Sequence, residues 1–113
     1  MWHSITSYAN LQARPEYGFT LTQGWDTQQG LLVLHAEQVY AYENRCPHQQ
    51  LPLNWSPHTF LDPNHEFIQC SLHGAWFQPD TGLCIRGPCV HQQLKPFPVR
   101  IEQGQIQVWF EFN

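Results

Sequence analysis

Gln105-Ile106-Gln107-Val108-Trp109-Phe110 alternates polar and apolar side chains before closing on two aromatics. That is the pattern of a strand with one face on a core and the other in water. Val39-Tyr40-Ala41-Tyr42 repeats it. Further short apolar runs at 18–22, 31–35, 39–43, 66–70 and 98–102 are bounded by Gly, Pro, Asn or Gln-rich turns, again the signature of strands. Ala36-Glu37-Gln38 and Gln103-Gly104 read as hairpin loops between such runs. Helical periodicity is scarce, so the chain is expected to be all-β, an antiparallel β-barrel or sandwich framework.

Composition agrees. With 113 residues the chain is expected to form one domain over 1–113. Hydrophobic residues make up 42% and charged residues 12%, the reverse of the balance that disorder needs. A net charge of −4 argues against a protein that tracks nucleic-acid phosphates. No run approaches the length of a membrane span. Met1-Trp2-His3-Ser4-Ile5-Thr6 has neither the basic opening nor the apolar run of a secretory signal. A cytoplasmic location is therefore expected, where thiols stay reduced and cysteines serve as ligands, reactive thiols or buried apolar residues.

The middle of the chain differs. Between Cys46 and Pro88 lie six of the nine prolines, three of the four cysteines and four of the seven histidines. Turn formers at that density supply few ladder hydrogen bonds. Residues 45–89 are accordingly expected to form a loop-rich subdomain inserted between framework segments 1–44 and 90–113, held by something other than side-chain packing.

Cys46-Pro47-His48 and Cys70-Ser71-Leu72-His73 each offer one sulfur and one imidazole nitrogen, 21 residues apart. Ligands two apart in an extended segment project to one side. A spacing of three needs a tight turn, which Gly74 allows. Two cysteines and two histidines can hold one zinc, although zinc sites usually pair Cys with Cys and His with His at short spacing. The observed pairing also suits a dinuclear cluster in which one iron takes both cysteines and the other both histidines.

At these residues the sequence resembles the Rieske family. Cys46-Pro47-His48-Gln49-Gln50-Leu51-Pro52-Leu53 is similar to that family's first cluster loop, and Cys70-Ser71-Leu72-His73-Gly74-Ala75-Trp76-Phe77 to its second. Asp80-Thr81-Gly82 and Gly87-Pro88 resemble the turn and proline loop that follow, and Asn44-Arg45 the approach to the first loop. The resemblance implies one 2Fe-2S cluster held by Cys46, His48, Cys70 and His73. It departs in a longer spacer, whose excess at 54–65 reads as a surface insertion, a change that loop-closure entropy penalises little.

With two ferric ions, two sulfides and two thiolates the oxidised cluster is neutral, so an added electron takes it only to −1. An all-cysteine cluster must go from −2 to −3, the harder step in a low dielectric. Imidazole ligation therefore lifts the potential into a range of roughly −150 to +300 mV. High-potential members of the family carry an extra cysteine in each loop, and a serine and a tyrosine that donate to cluster sulfurs. Here Leu51 and Leu72 stand at the cysteine positions, Ala75 at the serine and Phe77 at the tyrosine. Without those donors the potential is expected near the low end.

The resemblance implies a one-electron carrier, itself not an enzyme, that takes electrons from a reductase and passes them to a terminal oxygenase. No nucleic-acid or membrane partner is expected. The alternatives are a small subunit of an assimilatory nitrite reductase and a redox or iron-sulfur sensor. Cys84 and Cys89 could be a disulfide, a redox switch or two small apolar fillers; they are expected to be reduced structural thiols, with a disulfide as the main alternative. His3, His35, His58, His65 and His91 are expected to be exposed polar residues, Trp55 and Trp76 to shield the cluster, and Trp25 and Trp109 to lie in the core.

Overall fold

Leu31-Leu32-Val33 has no polar partner face because both of its faces are covered. In the computed structural model, which describes residues 1–47, 50–54, 56–71 and 74–112, these residues lie in β3 (Asp26–His35). Leu31 and Val33 point into one apolar core, while Leu32 points into a second on the other side of the sheet. Strand β3 sits between β2 (Glu16–Gln23) and β4 (Gln38–Glu43), with β8 (Pro96–Phe97) beyond β4, all antiparallel.

A second sheet has the order β1-β10-β9 and is built from β1 (Trp2–Ser7), β10 (Gln105–Trp109) and β9 (Val99–Glu102). Its Ile106 and Val108 pack with Leu32, Ala41 and Phe97. The alternation of β10 is thus explained: Ile106 and Val108 are buried, while Gln105 is exposed. The first core, on the opposite face of β3, is filled from the middle of the chain by Leu53, Phe60, Ile68, Phe77 and all four cysteines. There a small sheet, β5 (Ile68–Gln69), β6 (Trp76–Phe77) and β7 (Cys84–Arg86), is the only regular structure among the described residues.

The antiparallel, nearly helix-free architecture is the one expected. Both expected hairpin loops are turns in which two residues take positive φ: Ala36 and Glu37 at 50° and 68°, Gln103 and Gly104 at 51° and 79°. That backbone matches the twist of the paired strands.

Three expectations need correction. A one-and-a-half-turn helix, α1 (Tyr8–Ala13), follows β1, capped by the Ser7 side chain accepting from the Asn10 N–H. It buries only Leu11, so it leaves no 3.6-residue period to read. Trp25, expected in the core, is fully exposed at the tip of the β2–β3 hairpin, and Trp109 is 39% exposed at the end of β10. The spacer at 54–65 is only partly a surface insertion, since Phe60, Leu61 and Asp62 are buried within it. No helix among the described residues is long and apolar enough to cross a membrane.

Candidate metal centre

Cys46 and Cys70 stand at the head of two loops with the same backbone plan. In the first, the Cys46 N–H donates to the Leu51 carbonyl at 2.7 Å and the Gln50 N–H returns to the Cys46 carbonyl at 2.8 Å. In the second, the Cys70 N–H donates to the Ala75 carbonyl at 2.8 Å and the Gly74 N–H returns to the Cys70 carbonyl at 2.9 Å. The fourth residue after each cysteine is left-handed, Gln50 at φ 61° and Gly74 at φ 66°. Glycine reaches that conformation without strain, whereas glutamine does not. The turn that Gly74 signals is present.

The loops lie side by side because the Ser71 N–H donates to the Leu53 carbonyl at 2.8 Å. Asn44 closes the base of the first loop. Its Oδ1 accepts from the Leu53 N–H and its Nδ2 donates to Asn54 Oδ1, both at 2.8 Å. The match of Asn44 to the family's approach pointed to this residue, but its clamping role depends on a contact nine residues away.

Cys46 and Cys70 are both buried in one apolar core with Ala75, Phe77, Cys84 and Cys89. A thiolate in such surroundings is stable only beside a cation. A cationic centre with soft affinity fits that donor set. His48 and His73, the nitrogen ligands expected from sequence, lie outside the described residues, as do Leu72 and Trp55. Ala75 and Phe77 are buried and carry no hydroxyl, so neither can donate to a sulfur.

Around the loops, Trp76 stacks on Phe67 at 4.9 Å and carries the Arg86 guanidinium 4.7 Å from its ring centre. Gly87, at φ 103°, presses on the second loop, and a Cβ there would lie 2.9 Å from Ala75 Cα. His58 is a framework contact. It stacks on Tyr17 at 4.5 Å, and its Nδ1 accepts from the Gly18 N–H at 2.9 Å. It is therefore half-buried, contrary to expectation, while His65 and His91 are exposed as expected.

Against known proteins, the chain is 34% identical over 76 residues to Oxidoreductase NdmD of Pseudomonas putida, a stretch covering 60% of this chain and 12% of that protein. It thus spans about an eighth of that relative's length. Among solved structures it superposes with TM-score 0.71 on a chain from a complex of reduced oxygenase and oxidized ferredoxin in carbazole 1,9a-dioxygenase. That match is 21% identical and covers 95% of this chain and 91% of the other. The plasma membrane Rieske protein PetC3 of Synechocystis PCC 6803 superposes with TM-score 0.69 at 19% identity, covering 96% and 99%. At these identities the superpositions establish the fold. Residues 1–106 match the Rieske [2Fe-2S] domain, and on that match, with two twin cysteine loops at its centre, the chain belongs to the Rieske family.

Proposed function

We propose that the chain is a soluble, cytoplasmic one-electron carrier of the ferredoxin type, with a 2Fe-2S cluster held by Cys46 and Cys70 on one iron and by His48 and His73 on the other. When bound, the cluster supplies a single reversible electron-accepting centre. The chain's own groups bury its sulfur side, hold both loops in register and withhold hydroxyl donors at Ala75 and Phe77. We place the electron donor as a reductase and the acceptor as a terminal oxygenase. The similarity to a protein named as an oxidoreductase, and to a structure described as an oxygenase–ferredoxin complex, supports this placement.

The observation that carries the reading is the pair of equivalent loops, each with a buried cysteine at its head. A potentiometric titration followed by absorbance tests it. The expected result is a one-electron wave at the low end of the range for His-ligated clusters, roughly −150 to +300 mV. A midpoint well into positive values, or no wave, would overturn the low-potential carrier.

A further inference from the structure

Two cysteines have no part in this metal reading. Cys84 opens β7, and Cys89 follows Gly87-Pro88 in the turn beyond it. Both are 1% exposed. Their sulfurs are 2.9 Å apart, with the Cys89 thiol donating to Cys84 Sγ and the Cys84 thiol donating to the Arg86 carbonyl. Two space-filling side chains would stand off at roughly 3.5–4.0 Å. A covalent S–S bond is about 2.05 Å, so the sulfurs need to close by roughly 0.9 Å.

Backbone bonds hold the approach. The Cys84 N–H donates to the Gln92 carbonyl at 2.8 Å, and the Gln92 N–H donates to the Cys89 carbonyl at 2.9 Å. Gly87 of the turn presses on Ala75 of the second cysteine loop, and Cys89 is buried in the same apolar core as Cys46 of the first.

We propose that Cys84 and Cys89 are a reversible dithiol–disulfide pair, oxidised by hydrogen peroxide, whose bond clamps the 87–90 turn to β7 beneath the cysteine loops. The burial selects the oxidant, because a peroxide reaches a sulfur that a bulky disulfide such as oxidised glutathione does not. With the Cys89 thiol donating to its sulfur, Cys84 takes the attacking role and Cys89 the resolving one. The Cys84 sulfur bonds to one peroxide oxygen, the O–O bond breaks, and the leaving hydroxide takes the thiol proton as water. That leaves Cys84 as a sulfenic acid. The Cys89 sulfur then bonds to the Cys84 sulfur, the S–O bond breaks, and hydroxide departs with the Cys89 proton as a second water. Overall two thiols lose two electrons, and one peroxide becomes two waters.

The test uses the cluster-containing protein, treated anaerobically with hydrogen peroxide and then denatured in excess iodoacetamide. Alkylatable thiols should fall from the four in the sequence to two and return to four after dithiothreitol. Trypsin cuts after Arg45 and Arg86, so a bond at Cys89 joins the 46–86 and 87–100 fragments. The 46–86 fragment also holds Cys46 and Cys70, so Cys84→Ser must abolish the join. In Cys89→Ala, a second variant in case the first fails to fold, the Cys84 sulfenic acid has no resolving thiol, so two thiols should remain alkylatable and dimedone should label Cys84, whereas three alkylatable thiols would overturn the proposal. Four alkylatable thiols in treated wild-type protein, or a join that persists in Cys84→Ser, overturns the proposal. Cluster absorbance in the same samples keeps this outcome separate from failure of the carrier reading, on which the pair does not rest.

Discussion

Strands β2 and β3 pair over eight positions and β3 and β4 over six, whereas β5 and β6 pair over two. The framework is held by ladder hydrogen bonds and by the apolar faces they align. The middle of the chain has little ladder, and side chains supply its backbone partners instead. Buried Glu16, on β2, accepts through Oε1 from the Phe60 N–H at 2.6 Å and from the Leu61 N–H at 2.9 Å. Asp62 accepts from the N–H groups of Asn64, Glu66 and Phe67. Asn44 accepts from Leu53, and Tyr42 donates its hydroxyl to the Pro79 carbonyl at 2.7 Å. The framework is held by its own ladders, some of which join the two ends of the chain, while the middle needs side-chain anchors, Asp62 from within it and others from the framework, and, on our reading, a bound metal cluster.

If that contrast is right, the largest effect comes from Cys46→Ala or Cys70→Ala. Iron and acid-labile sulfide should fall to background and limited proteolysis should become rapid within 45–89, while the strand signal of the framework persists in circular dichroism. A middle that stays protease-resistant without metal would break the contrast.

Next in size is Gly87→Ala. The added Cβ meets Ala75 at 2.9 Å in a left-handed conformation, and overpacking with that backbone penalty should cost about 3 kcal/mol in denaturant unfolding. Gly74→Ala, at φ 66° within the left-handed well that other residues enter at modest cost and with no described atom within 4 Å of its Cβ, should cost only about 1 kcal/mol. Equal costs would mean that the proline turn does not press on the second loop.

Glu16→Ala leaves two buried N–H groups without an acceptor and should cost about 2–3 kcal/mol. Glu16→Gln keeps a carbonyl oxygen there and should lose less than about 1 kcal/mol. A Gln variant as unstable as the Ala variant would shift the role of Glu16 from acceptor to charge.

The smallest effect is in acid. Burial alone would raise the Asp62 carboxyl, but the amides of Phe67, Glu66, Asn64 and its own N–H outweigh burial and hold it below its ordinary 3.8. Its contribution is therefore complete above that value and is lost as pH falls through the lower folded value. Asp62→Asn should flatten part of the acid limb of a stability–pH curve below about pH 4. An unchanged acid limb would remove Asp62 from the set of anchors.

Strands were legible in runs with one face in water, as in Gln105–Trp109, or with both faces covered, as in the run around Leu32, whereas β1 (Trp2–Ser7) was not among the runs read. The turns were legible from Ala36-Glu37 and Gln103-Gly104. Helix α1 was not, because a single buried leucine carries no period. Trp25 was misplaced because bulk argues for burial only when the backbone brings the side chain to a core, and a hairpin tip does not. At the centre, residue types and spacing pointed to Cys46 and Cys70, and Gly74 to the turn. The anchors Glu16 and Asn44 and the press of Gly87 on Ala75 depend on contacts between distant segments, which spacing along the chain does not encode.

The central claim, that Cys46, His48, Cys70 and His73 grip two sulfide-bridged irons unequally, is tested most directly by electron paramagnetic resonance of the dithionite-reduced protein alongside metal and sulfide analysis. Two irons and two sulfides per chain, one unpaired spin, and nitrogen hyperfine coupling that disappears in His48 and His73 variants are expected. A colourless, spin-silent protein holding one zinc per chain would contradict it.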